Sequence, residues 1–168
     1  MPITMYQASV PLFVRGLTNT QGILAKAEAH AQAHKIEPQV LLGARLFPTM
    51  FPFTRQIQIA ADFAKGTSAR LAGIDVPKYE DTETSFAELS ARLDQTLQFI
   101  TQIKAALIDG SESRPIEITA GGNVLKFNGL DYLLNFSLPN FNFHLTTAYG
   151  ILRHSGVELV KRDYIGPL

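Results

Sequence analysis

The chain contains no cysteine. That absence removes disulfides, thiolate metal sites, iron–sulfur clusters and cysteine nucleophiles together. Tryptophan is missing too, and eleven phenylalanines supply most of the aromatic bulk. Neither sign of charge dominates, because fifteen lysines and arginines balance fifteen aspartates and glutamates. No global field therefore draws the protein to nucleic acid or to an anionic membrane. The nearest basic cluster, Arg153, His154, Lys161 and Arg162, is diluted by Glu158 and Asp163. No window reaches the roughly 20 consecutive apolar residues of a membrane helix. Met1-Pro2-Ile3-Thr4-Met5 lacks the basic cluster and apolar run of a secretory signal. The expected location is the cytoplasm, with neither nucleic acid nor membrane as a partner.

What remains is apolar enough to fold. A chain of 168 residues, 46% apolar and 18% charged, can bury a sizeable core and fits one domain spanning 1–168. It shows no internal repeat and no low-complexity tract.

Spacings of three and four mark the helices. Phe13, Leu17, Leu24, Ala27 and Ala31 form the apolar stripe of a first helix over about Tyr6 to Lys35, with Pro11 near its start. Val40 to Phe47 reads as helical before Pro48 and Pro52 break it. A second long helix is expected from Phe53 to about Leu71 on the stripe Phe53, Ile57, Ala60, Ala64, with Gly73 and Pro77 ending it. Ser85-Phe86-Ala87-Glu88 is a capping box. It opens a third helix through Leu89, Leu93, Leu97, Ile100, Ile103 and Leu107, stopped by Asp109-Gly110.

The period changes at Pro115. Ile116 to Thr119 and Val124 to Phe127 alternate around Ala120-Gly121-Gly122-Asn123, which predicts a β-hairpin. A last helical region starts at Asn128, its expected cap, is interrupted at Pro139 and resumes to His154. Val157, Leu159, Val160, Tyr164 and Ile165 suggest a tail that packs on the surface. The expected fold is all-α: an up-down-type four-helix bundle with a short β-hairpin between the third and fourth long helices.

Few residues offer chemistry. His144 shares the stripe of Phe141, Ala148 and Ile151 and should face the interior. A helical metal site usually takes two ligands at i and i+3 or i+4, and those positions hold Thr147 and Ala148. The simpler reading is a buried histidine bonded to a polar neighbour. His30 and His34 do have i, i+4 spacing, but no local carboxylate completes a set, and C-terminal helix cations explain them. His154 and Arg153 read the same way. Asn140 is a natural cap after Pro139. The candidate ligand pocket is His144 with Asn142, Arg45, Arg55 and Asp62. No catalytic residue and no metal ligand set is assigned. There is no phosphate-cradling glycine loop, no Gly-x-Ser-x-Gly elbow and no His-Glu-x-x-His.

Four helices, a proline-broken second helix, a hairpin and an inward histidine on the last helix resemble the DinB/YfiT-like superfamily. Within it the chain looks like a bacterial family known only as a domain of unknown function. The stretches that carry the resemblance are Leu41-Leu42-Gly43-Ala44-Arg45-Leu46-Phe47-Pro48 through Asp62-Phe63-Ala64-Lys65-Gly66, then Phe143-His144-Leu145-Thr146-Thr147-Ala148-Tyr149-Gly150-Ile151-Leu152-Arg153-His154 and Lys161-Arg162-Asp163. The resemblance implies frequent homodimers. It also implies, in many members, a metal held by one histidine of the second helix and two of the fourth at i and i+4. Here the second helix has no histidine, and Ala148 stands four residues after His144. Two readings follow. The first is a metal-free protein, expected to be a homodimer without a cofactor, with a small-molecule pocket near His144. The second is a divergent metal-dependent enzyme, of transferase or hydrolase type, using His144 with non-histidine ligands such as Asp62.

Overall fold

The computed structural model describes residues 2–167. The helices are α1 (Val10–Ala33), α2 (Pro38–Leu42), α3 (Phe53–Ala72), α4 (Phe86–Thr101), α5 (Ala105–Ile108), α6 (Gly129–Asp131), α7 (Leu138–His154) and α8 (Lys161–Ile165). Strands β1 (Pro115–Ala120) and β2 (Asn123–Asn128) form the hairpin, and a π-helical segment, Tyr132–Ser137, joins α6 to α7. The long helices α1, α3, α4 and α7 make the bundle. α3 lies between α4 and α7, while α1 packs chiefly on α4. The expected stripes meet inside: Phe13, Leu17, Ile57, Leu89, Leu93 and Ile151 are all buried. No helix among the described residues is long and apolar enough to cross a membrane.

Local sequence explains most of the ends. Pro11 sits in the first turn of α1, where it has no helical partner to lose. Ser85 Oγ accepts from the Glu88 amide at 3.1 Å. The returning arm of that cap is displaced by one residue, because Glu88 accepts from the Thr84 amide at 2.6 Å rather than from Ser85. At the other end of α3, Gly73 takes φ 71°, and Ile74 N donates to Ala69 O, the closure that a left-handed residue permits. The hairpin turn is Gly121-Gly122 at φ 56° and 80°, both positive as a two-residue turn of this twist requires. Its apolar face, Ile116, Ile118 and Phe127, lies on the helices.

Several expected boundaries move. The first helix starts at Val10 and ends at Ala33, with Lys35 at φ 54° turning the chain away. The segment expected helical to Phe47 stops at Leu42, before Gly43, and leaves Phe47 exposed. The third helix ends at Thr101 instead of continuing to Leu107. Thr101 Oγ1 donates to Leu97 O at 2.7 Å, and such back-bonding competes with continuation. Lys104 is then extended before α5, so Ile103 and Ile108 are buried and Leu107 is exposed.

The largest difference is at Pro139, which does not interrupt the last helical region. A proline's ring clashes with the carbonyl four residues back in a regular helix. The wider π turn over Tyr132–Ser137 relieves that crowding, and the rod runs on from α6 to His154. Asn140 therefore does not cap a new helix. Its Nδ2 donates to Phe136 O at 2.6 Å inside the continuous one. Asn128 does cap, accepting from the Asp131 amide at 2.8 Å. The tail is tied to α1: Arg15 Nε donates to Ile165 O at 2.8 Å, and Lys26 pairs with Asp163 at 2.8 Å.

Candidate functional site

His144 faces inward from α7 and is 8% exposed. Its Nδ1 lies 2.7 Å from Oε1 of Gln56 on α3. Gln56 Nε2 donates to Phe51 O at 3.0 Å, so its oxygen is the atom turned to the ring. Nδ1 therefore carries the proton, and Nε2 holds the free lone pair. Phe63 stacks on the imidazole at 6.1 Å between centroids, and Phe143 meets it edge-on at 5.3 Å. Burial first, and then the positive charge of Arg55, push the pKa down to about 4. The ring is neutral at physiological pH.

On the α4 side of α3 lies a network of charges. Arg92 is almost wholly buried, and its guanidinium reaches Asp62 at 3.0 Å, Asp81 at 2.9 Å and Glu83 at 2.9 Å. Lys65 pairs with Asp62 at 2.9 Å and sits 3.8 Å from the Tyr79 ring centroid. Arg55 pairs with Asp81 and donates to Gln58 at 3.2 Å, and Gln58 in turn donates to Glu83 at 2.8 Å. The carboxylates of Asp62, Asp81 and Glu83 thus meet the cations of Arg55, Lys65 and Arg92. They fasten the connection between α3 and α4 across both helices. Desolvation opposes the charge on Arg92, but these carboxylates outweigh it and hold its pKa above the usual value.

Adjoining this network at Asp62, a cleft of about 200 Å³ opens between α3, the hairpin and the π segment. Phe63, Tyr132, Phe136 and Ile118 form its walls, and Asp62 and Arg70 stand at its margins. Phe63 is shared: one surface lines the cleft, and the ring stacks on His144. Phe127 supports the aromatic wall, 5.8 Å from Tyr132 and 5.3 Å from Phe136.

The five residues singled out from sequence are distributed across these features. Arg55 lies close enough to His144 to act on it electrostatically. Asp62 borders the cleft while belonging to the charge network. Arg45 is exposed and donates to Pro48 O at 3.4 Å and Met50 O at 3.3 Å, bracing the loop before α3. Asn142 lines a separate, largely apolar groove of about 270 Å³ between α1, α7 and the tail, beside Arg15, Phe141 and Tyr164. His30 and His34 stack at 4.2 Å at the exposed end of α1. Among the described residues no three histidines, aspartates or glutamates come close enough together to hold a metal.

Arg70, Arg92 and the wall aromatics were not singled out from sequence, and Gln56 reads there only as one of the polar residues of its segment. Gln56 and Arg92 did carry a signal: each falls on an apolar stripe, Phe53-Gln56-Ile57-Ala60 and Leu89-Arg92-Leu93-Thr96, where a polar side chain needs a buried partner.

Comparison with known proteins agrees with this architecture. No curated protein matches the chain. The crystal structure of a DinB family member protein from Shewanella denitrificans superposes with a TM-score of 0.87 and 39% sequence identity. The match covers 97% of this chain and 92% of that one. Residues 5–165 match the family described as Domain of unknown function (DUF1993). The protein is therefore a member of the DUF1993 family, with a DinB-like helical fold.

Proposed function

We propose that this single domain is a small-molecule-binding protein whose ligand enters the cleft beside His144. The observation that carries the reading is the shared ring of Phe63, which makes one wall of the cleft and covers the neutral imidazole. Aromatic walls supply apolar contact, and a few polar groups at the margin fix orientation, the usual composition of a ligand site. No nucleophile paired with a base accompanies them. His144 is hydrogen-bonded to an amide rather than a carboxylate, so it lacks the partner that would raise its basicity.

The three-histidine metal set of the wider superfamily does not fit these residues. Around His144 stand Gln56, Phe63, Phe143 and Ala148, and the Asp62 carboxylate is occupied by Lys65 and Arg92. The reading therefore requires no metal. It includes a cytoplasmic homodimer, for which the exposed Leu46, Phe47, Phe51 and Phe143 offer apolar surface.

A fragment screen followed by amide NMR tests the central claim. Binders should shift Ile118, Thr119 and Phe63. Shifts confined to the groove around Gly16 and Asn142 would move the site elsewhere. Stoichiometric zinc or nickel in untagged protein, lost on His144→Ala, would overturn the metal-free reading. Light scattering settles the dimer.

A further inference from the structure

We infer that the cleft selects a small monocarboxylate with an aromatic or branched apolar tail, gripped through Arg70; this rests on the reading of the cleft as a ligand site.

Arg70 is the cation that lines the cleft, and the charge network does not use it. The carboxylates of Asp62, Asp81 and Glu83 are already matched by Arg55, Lys65 and Arg92. No ion pair to Arg70 forms among the described residues. Among the described residues its one side-chain hydrogen bond is to the Tyr132 hydroxyl, which accepts from Nη1 at 3.2 Å. That contact fixes the guanidinium at the edge of the aromatic wall.

The backbone is shaped to let it lie there. Asp62, Gly66 and Arg70 succeed one another at intervals of four on one face of α3. Arg70 folds back over Gly66 so closely that a Cβ at residue 66 would sit 2.5 Å from Nη1. Only glycine leaves that space. Asp62 is eight residues away, about 12 Å along the helix axis, and is neutralised by its own cations. Its charge is balanced by Lys65 and Arg92, which limits its repulsion of an anion at Arg70.

The ligand class follows from the shape and the charge. One guanidinium fork matches one carboxylate in a two-point contact. A single cation among aromatic walls suits a monoanion better than a dianionic phosphate. A cleft of about 200 Å³ is below the roughly 300–1,000 Å³ of drug-sized pockets, which limits the tail to about one ring or one branched chain.

Phenylacetate and its neutral amide, phenylacetamide, are the test pair, read by amide NMR in chloride-poor buffer. Phenylacetate should shift Ile118, Thr119 and Phe63 and bind at least about tenfold tighter than the amide. Arg70→Gln should cost about the same factor, and Arg70→Lys, which keeps charge but loses the fork, should fall between. Gly66→Ala displaces the guanidinium without removing it and should also weaken phenylacetate, which keeps the test valid if Arg70→Gln misfolds. Equal binding of acid and amide overturns the carboxylate inference while leaving the cleft as a ligand site. So does unchanged phenylacetate affinity in folded Arg70→Gln, or inorganic phosphate outcompeting phenylacetate. Binding of neither compound at the cleft overturns both readings.

Discussion

The two flanks of α3 handle charge in opposite ways. Toward α4, Asp62, Asp81 and Glu83 each meet a cation, and the connection from Tyr79 to Glu83 is held down by Arg92 and Lys65. Toward the hairpin, one guanidinium stands beside an aromatic cleft and bonds only to a phenol among the described residues. The first arrangement is complete without a ligand. The second is left with an unused fork of donors. Charge by itself therefore says little about where a site lies; the informative feature is a cation outside the ion pairs that also lines a cleft.

Removing Arg92 should break the closed side most severely. Arg92→Met leaves Asp62, Asp81 and Glu83 crowded without their common cation; because Asp62 and Asp81 reach solvent and only Glu83 is largely buried, the loss should be about 2–3 kcal/mol. Urea denaturation should show the midpoint fall accordingly. A change below 1 kcal/mol would mean that the network is solvated and idle.

His144 offers the next largest effect, and it depends on pH. Its folded pKa of about 4 lies below the ordinary 6.5, so the unfolded chain binds the proton more readily. The stabilisation is complete above pH 6.5 and is lost as pH falls toward 4. The loss should be on the order of 2 kcal/mol, allowing for the part of the ring that reaches solvent. Stability measured between pH 5 and 7 should slope in the native chain and flatten in His144→Gln. An equal slope in both would show that other groups carry it.

Gly66→Ala separates stability from ligand capture. The new methyl group meets only the end of a flexible side chain and, beyond it, Val76. Alanine is the better helix former by up to about 1 kcal/mol. Thermal stability should hold or rise while carboxylate binding falls, and a drop in both would mean that Arg70 is a packing residue. The smallest effect belongs to Lys126→Ala. Its pair with Glu117 spans 3.3 Å between side chains 78% and 61% exposed, and should contribute less than about 0.5 kcal/mol. Set beside Arg92, it measures how much burial adds to the same chemistry.

Sequence periodicity located α1, α3, α4 and the hairpin because those elements are held by local rules. The stripe from Phe13 to Ala31, the Ser85 cap and the paired glycines at 121 and 122 each act within a few residues. The sites were less legible because their partners are distant in the chain. Gln56 meets His144 across 88 positions, and Arg92 meets Asp62 across 30. Spacing could show that each lies on a buried stripe, but not which partner waits opposite. Pro139 misled for a related reason: a break is the local rule, and the remedy lies upstream in Tyr132–Ser137.

That remedy also sets the phase of the helix. A π turn behaves as a one-residue insertion that a helix has absorbed without unravelling. Each residue of a regular helix advances about 100° around its axis. Deleting a single residue between Tyr132 and Ser137 would restore the ordinary pitch and swing everything before it by about that angle relative to α7. The hairpin and the π-segment aromatics would then no longer meet α3 as they do at the cleft. The geometry of the cleft is thus written as a reading-frame of the helix, set by the number of residues in the π segment as well as by their identity.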